Sequence, residues 1–181
     1  MSEAGAPQAR AMQVRILESD EARARIPDLA AVLVDCVEGG ASVSFMDGFS
    51  MAEGVGFYAD VAAAVEAGEV VLFGAFDGDR LVGTVQLAPS GKPNQPHRCE
   101  IMKLLVRRDS RRFGHAERLM LAAEAHARAL GRTMLTLDTQ LEGDAARLYD
   151  RLGYRRVGVI PGYALWPDGR PCDTLFYWKP I

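Results

Sequence analysis

From residue 13 the chain alternates apolar and polar positions, Gln13 to Leu17, as a strand with one buried face does. The period then lengthens. Ile26, Leu29, Val32 and Leu33 recur three and four apart, which predicts a helix capped by Asp20, interrupted at Pro27 and ended by Gly39-Gly40. Met51 to Ala67 predicts a second helix with Phe57, Val61 and Val65 inward and Gly68 as its stop. The intervening Gly39 to Met46 reads as a mobile segment with exposed apolar groups.

Val70 to Phe76 and Leu81 to Leu87 are β-rich runs joined by Asp77-Gly78-Asp79-Arg80, whose Asp-Gly pair favours a tight reversal, so they form an antiparallel hairpin. After a polar Gly and Pro loop, Cys99 to Val106 is a third apolar strand. Leu119, Ala123, Ala127 and Leu130 then mark one face of a helix that stops at Gly131, and Thr133 to Leu137 follows as a strand. A helix between two strands of one sheet implies a crossover, so this strand is predicted parallel to Cys99 to Val106. A short helix from Asp144 to Leu152 and strands Tyr154 to Val159 and Thr174 to Trp178 complete an α+β chain with a mixed sheet.

The 181 residues, 49% of them apolar and 25% charged, fit one domain, 13–181, behind a flexible leader, 1–12. The longest apolar run is far too short to span a bilayer, which needs about 20 residues, and the leader lacks the apolar centre of a signal peptide. A cytoplasmic protein with no membrane partner is expected. Cys36, Cys99 and Cys172 are odd in number and form no C-x-x-C pair, so they read as reduced and buried. His97, His115 and His126 have no metal-ligand spacing, so no metal is expected. A net charge of −3 offers no diffuse positive field for nucleic acid.

The chemistry concentrates in Val106 to Ala116, between a predicted strand and a predicted helix. Free backbone N–H groups at a helix N-terminus bind anions, Gly114 and Ala116 leave the approach open, and Arg111 and Arg112 add positive charge. Neither Gly-x-Gly-x-x-Gly nor Gly-Lys-Ser/Thr is present, which excludes dinucleotide and nucleoside-triphosphate loops. The turn resembles the Arg-x-x-Gly-x-Gly/Ala pyrophosphate loop of the GNAT family of acetyl-CoA-dependent N-acetyltransferases, matched by Arg111, Gly114 and Ala116. Ala145 to Tyr154 is similar to that family's Ala-x-x-Leu-Tyr-x-x-x-Gly-Phe/Tyr signature. The chain departs from the family at Arg108, Arg112 and Glu142, where Pro, Gly and Asn are common.

The resemblance implies the GNAT fold: a mixed, mostly antiparallel sheet, flanked by helices, whose parallel central pair splays at an acetyl-CoA cleft. Acetyl-CoA is then the co-substrate and no metal takes part. Backbone N–H groups of Leu104, Leu105 and Val106 would hold the donor's amide arm, and Arg111, Arg112, Phe113, Gly114, His115 and Ala116 its diphosphate. Attack by an amine needs a proton acceptor, because an ammonium has no lone pair; Glu100 and Asp138 are the candidates, and Tyr149 is the candidate proton donor to the leaving thiolate. Phe45, Met46 and Tyr58 are candidates for the acceptor pocket. Lys103 reads as a snorkelling strand residue. Neither Cys36 nor Cys99 has an adjacent histidine, so direct attack in a ternary complex is expected rather than an acyl-enzyme.

Gly39 to Met46, Lys92-Pro93-Asn94, Glu100 to Val106, Leu137-Asp138-Thr139, Pro161-Gly162-Tyr163 and Pro167 to Arg170 further resemble GNAT enzymes that confer resistance by acetylating the amine of an amino-acid-like β-lactam toxin. That implies a small amino-acid-like acceptor and a monomer or homodimer. The alternatives are the same transfer to a protein or polyamine amine, and a non-catalytic CoA-binding module.

Overall fold

The computed structural model describes residues 12–141 and 143–181. The leader, apart from Met12, and the departure at Glu142 lie outside the described residues. The elements run β1 (Met12–Ile16), α1 (Ser19–Ala24), α2 (Ile26–Glu38), α3 (Met51–Glu66), β2 (Val71–Asp77), β3 (Arg80–Pro89), β4 (Arg98–Val106), α4 (His115–Ala129), β5 (Met134–Gln140), α5 (Asp144–Arg151), β6 (Arg155–Leu165) and β7 (Pro171–Pro180). Met12 belongs to β1, opposite Asp77, and not to the leader.

The predicted first helix is two. Arg25 leaves helical geometry between α1 and α2, and Pro27 sits in the first turn of α2, where its missing N–H has no helical partner to lose. Asp20 is therefore inside α1, and Glu18 is the capping position, without a side-chain bond. Ser50 and Glu53 close a reciprocal capping box at the start of α3. The buried face of α3 is Gly54, Tyr58, Val61 and Ala62, one position over from the predicted stripe. Leu130 lies past the end of α4 and is 44% exposed.

The strands form a seven-stranded sheet in the order β1-β2-β3-β4-β5-β7-β6. The β2–β3 hairpin turns through Gly78 at φ 60°, a conformation that glycine adopts without strain. β4 and β5 are parallel as predicted, and every other pair is antiparallel. β6 and β7 are both longer than their predicted strands.

Alternation along the strands feeds two cores. Phe73, Val85, Ile101, Leu135 and Leu137 pack on one side with Leu119, Met120, Ala123 and Ala127 of α4 and Leu148 of α5. Leu72, Phe76 and Leu81 pack on the other with Leu29, Leu33, Tyr58 and Val61. Glu124 is almost fully buried on α4, where Lys179 of β7 reaches it at 2.7 Å and Arg128 at 3.3 Å. A buried carboxylate needs such partners, and here they fix α4 to β7.

The site is set by one irregularity and one interruption. Thr84 pairs with Leu105 and Gln86 with Met102, so Lys103 and Leu104 together face Val85, and β4 carries a bulge. Lys103 takes φ 49°. The side-chain alternation slips there: Ile101 points to the α4 core, Leu105 to the α2–α3 core. On the other side of β4, the parallel ladder runs Arg98↔Met134, Cys99↔Leu135, Glu100↔Thr136 and goes no further.

Candidate active site

Beyond the Glu100–Thr136 rung, β4 and β5 separate and a cleft of about 1220 Å³ opens between them. Three groups of residues line it: the end of β4 with the turn into α4, β5 with the start of α5, and the Gly39 to Met46 segment with the β6–β7 hairpin.

On the first wall, the Arg107 N–H donates to the Val82 carbonyl at 2.9 Å. N–H groups of an extended strand point alternately to its two edges, so those of Val106 and Leu104 face the cleft. Leu105, expected to contribute as well, by the same alternation points its N–H toward β3. A short 3-10 turn, Arg108–Ser110, leads to Arg111, Arg112, Phe113 and Gly114 before α4 begins at His115. Gly114, at φ 85°, caps α4 without a side-chain bond, so the first-turn N–H groups are left for a ligand.

Arg112 occupies φ 68°, a conformation that suits the glycine common there in the family. Phe113 is 67% exposed and its side chain stays outside the cleft. His115 is buried, its Nδ1 has no partner, and burial holds its pKa below the ordinary value. Arg147 and Arg151 of α5 join Arg111 and Arg112 around the cleft. Their i,i+4 spacing, a signal present in the sequence, places both on one helix face. First Arg147, then Arg112 and Arg111, hold the Asp144 carboxyl below its usual range, which reports the cationic field at this end. Four cations, open strand-edge N–H groups and an uncapped helix start suit a diphosphate and an amide arm.

Asp138, exposed on β5, projects two residues beyond the last parallel rung and lines the cleft. Desolvation pushes its carboxyl pKa up, and Lys103 partly counters the rise. Glu100 lies at the last rung itself, 3.6 Å from the Arg98 guanidinium, which also donates to Thr136 Oγ1 at 2.9 Å. Tyr149 lines the cleft from below. It is as buried as Leu148, its neighbour on α5, and packs between Tyr154 and Tyr177, with ring centroids at 5.8 and 5.7 Å. Burial, with Asp138 nearby, raises its pKa, so the phenol stays protonated.

The third wall is held by packing. Phe45 stacks on Phe49 at 4.2 Å and meets Phe57 edge-on at 5.3 Å, so the segment expected to be mobile is anchored by its own aromatic residue. Ser42 Oγ donates to the Leu165 carbonyl, and the Asp47 N–H to that of Pro167. Phe45 and Met46 line the cleft, and Tyr163 and Leu165 join them. Tyr58 does not: it is fully buried in the α2–α3 core, because the inner face of α3 is rotated one position from the predicted one. A second hollow of about 360 Å³ shares Glu100 and Asp138 with the cleft and continues over Phe176 and Trp178.

Cys36 also borders the cleft, but burial pushes its thiol pKa up and its Sγ lies 3.5 Å from the Val106 carbonyl. Cys99 and Cys172 are buried, and all three thiols are free. No group of three or more His, Cys, Asp or Glu residues suited to a metal occurs among the described residues. Nor is any described helix long and apolar enough to cross a membrane.

Residues 42–154 match the family model described as the acetyltransferase (GNAT) family. Among solved structures, the chain is similar to a ribosomal-protein-alanine N-acetyltransferase from Brucella melitensis (20% identity, TM-score 0.77, covering 93% of this chain and 99% of that one). It is also similar to an N-acetyltransferase from Staphylococcus aureus Mu50 (14%, 0.77, covering 94% and 98%). A third similar structure is a GNAT superfamily phosphinothricin acetyltransferase from Sinorhizobium meliloti in complex with acetyl-CoA (16%, 0.75, covering 94% and 88%). At these identities the likeness is one of fold.

Proposed function

The chain belongs to the GNAT acetyltransferase family, and from that premise we propose that it moves an acetyl group from acetyl-CoA to the amine of a small amino-acid-like molecule. The observation that carries this reading is the end of the β4–β5 ladder at Glu100 and Thr136, which opens a cleft with anion-binding groups on one side and a desolvated carboxylate on the other. The phosphinothricin acetyltransferase of similar fold was solved with acetyl-CoA, which supports the choice of donor.

In this reading the Leu104 and Val106 N–H groups hold the pantetheine arm and polarise the thioester carbonyl. The loop from Arg111 to Ala116, with Arg147 and Arg151, takes the diphosphate. Asp138 accepts a proton from the acceptor ammonium, directly or through water; its raised pKa makes it the better base of the two acids, since Arg98 already engages Glu100. Tyr149, protonated throughout, donates to the sulfur as it leaves. The buried, protonated thiol of Cys36 supports direct attack over an acyl-enzyme.

The acceptor class rests on resemblance to tabtoxin resistance protein in the segments around Gly39 to Met46, Glu100 to Val106 and Pro161 to Arg170. The hollow over Phe176 and Trp178 favours a second reading, in which a peptide N-terminus lies across the sheet face. The test is thiol release from acetyl-CoA with a panel of amino acids, peptides and polyamines. Turnover with amino acids supports the first reading and turnover confined to peptides the second. A protein that takes up no acetyl-CoA in calorimetry sinks both.

A further inference from the structure

Three residues other than glycine have positive φ among the described residues: Ser44 at 79°, Lys103 at 49° and Arg112 at 68°. All three line the cleft. The left-handed region is costly for a residue with a Cβ, and strain of this kind persists where the surrounding structure imposes it. Arg112 belongs to the anion loop. Ser44 and Lys103 are joined to each other: the Lys103 ammonium donates to Ser44 Oγ at 2.9 Å and lies 5.8 Å from the centre of the Phe45 ring. The β4 bulge and the α2–α3 segment thus hold one ammonium on the acceptor side of the cleft.

That ammonium has no carboxylate within 4.0 Å among the described residues, although Asp138 is close enough for each to influence the other's charge. An ammonium has three protons to donate, and Ser44 takes one. A half-buried charge without a paired counter-ion is unfavourable unless a ligand completes it. Lys103 and Asp138 are therefore a cation and an anion of the cleft that are not locked together, a pattern complementary to a molecule bearing both an ammonium and a carboxylate.

Building on the acetyltransferase reading above, we propose that Lys103, positioned by Ser44 and the β4 bulge, binds a carboxylate of the acceptor, so that the substrate is a zwitterion and not a simple amine. The ammonium of such a substrate falls on the Asp138 side and its carboxylate on the Lys103 side. Lys103 is then a specificity-determining residue and takes no part in proton transfer.

The experiment pairs L-α-amino acids with the amines that lack only the carboxylate, and reads kcat/KM by thiol release at several pH values. The wild type is expected to prefer the carboxylate-bearing member by about 10- to 100-fold, the range of one charge-assisted hydrogen bond. Lys103→Met should bring the two members within a few-fold of each other, chiefly through KM, and Lys103→Arg should restore part of the preference. Ser44→Ala, which leaves the charge in place but unanchored, should cost a smaller factor. Equal rates for the two members in the wild type, or an equal loss for both in Lys103→Met, would overturn the proposal. Calorimetry of the same pairs in the presence of CoA separates this inference from the catalytic one. Amino acids that bind the wild type but not Lys103→Met support the role of Lys103 even if no amine is turned over, and equal binding to both proteins refutes it.

Discussion

The Arg98 guanidinium lies 3.6 Å from the Glu100 carboxylate at the last rung of the parallel ladder, while Asp138, two residues past that rung, has no such partner among the described residues. Under the proposed function, two acids that look interchangeable along the chain take different tasks. Asp138→Asn is expected to lower kcat/KM by about 10²- to 10⁴-fold, the usual worth of a positioned base, and to abolish the acid limb of the pH–rate profile. Glu100→Gln should leave that limb in place.

Asp138→Asn also has a consequence for stability. Partial desolvation within the cleft raises the Asp138 pKa in the fold, so between the ordinary value of about 3.9 and the raised one the native protein binds more protons than the unfolded chain. Stability from this group falls as pH rises through that window. Asp138→Asn escapes the loss, so its Tm should exceed that of the wild type above the window and converge with it at the acid end. Thermal melts across pH check this, and a Tm deficit at neutral pH would contradict it.

Lys103 holds the Asp138 pKa down against desolvation. Removing the cation in Lys103→Met lets the carboxyl rise further, so the acid limb of any remaining activity should move to higher pH. A limb that stays put would show that the titrating base is another group.

Arg112→Gly tests the strain at φ 68°. Relief of the left-handed conformation outweighs the added backbone entropy of glycine by about 0.5–1 kcal/mol, so Tm should rise. Arg112→Ala keeps the backbone problem and should give no such gain. Both variants lose a cation, and acetyl-CoA affinity measured by calorimetry should fall modestly at low salt and less at high salt.

Tyr149→Phe deletes only the donor hydroxyl and keeps the ring packed between Tyr154 and Tyr177. Turnover is expected to drop by about 10²-fold or more, with the acetyl-CoA Kd little changed. Gly83→Ala acts from the other side of β4. Its Cβ would meet the Leu105 carbonyl oxygen at 2.8 Å, so urea unfolding should report a loss of about 1–3 kcal/mol.

Much of this was legible in the sequence because it is local. The Asp-Gly reversal before β3, the glycine that ends α4 and the crossover that makes β4 and β5 parallel follow from short-range rules. The turn that leads into α4 with open N–H groups is likewise legible in the run from Arg111 to Ala116. What escaped depends on register. Whether Phe57 or Tyr58 enters the core is decided by a rotation of one residue in α3, and Lys103 is lifted from an ordinary strand position by a bulge visible only against Val85. The difference between Glu100 and Asp138 needs the location of Arg98 relative to where the ladder ends. Arg147 and Arg151 were readable from their spacing alone, but their purpose depends on α5 ending up beside the anion loop.

The Ser42 and Asp47 bonds to the carbonyls of Leu165 and Pro167 join the α2–α3 segment to the tip of the β6–β7 hairpin, and between them Ser44 accepts from Lys103 of the β4 bulge. If the proposed function holds, changes in length or side chain at this junction alter the shape offered to an incoming amine and leave the loop from Arg111 to Ala116 as it is. In that reading the cleft has an acyl-delivering side and, facing it, an exchangeable clasp through which a new acceptor could be acquired by a few substitutions.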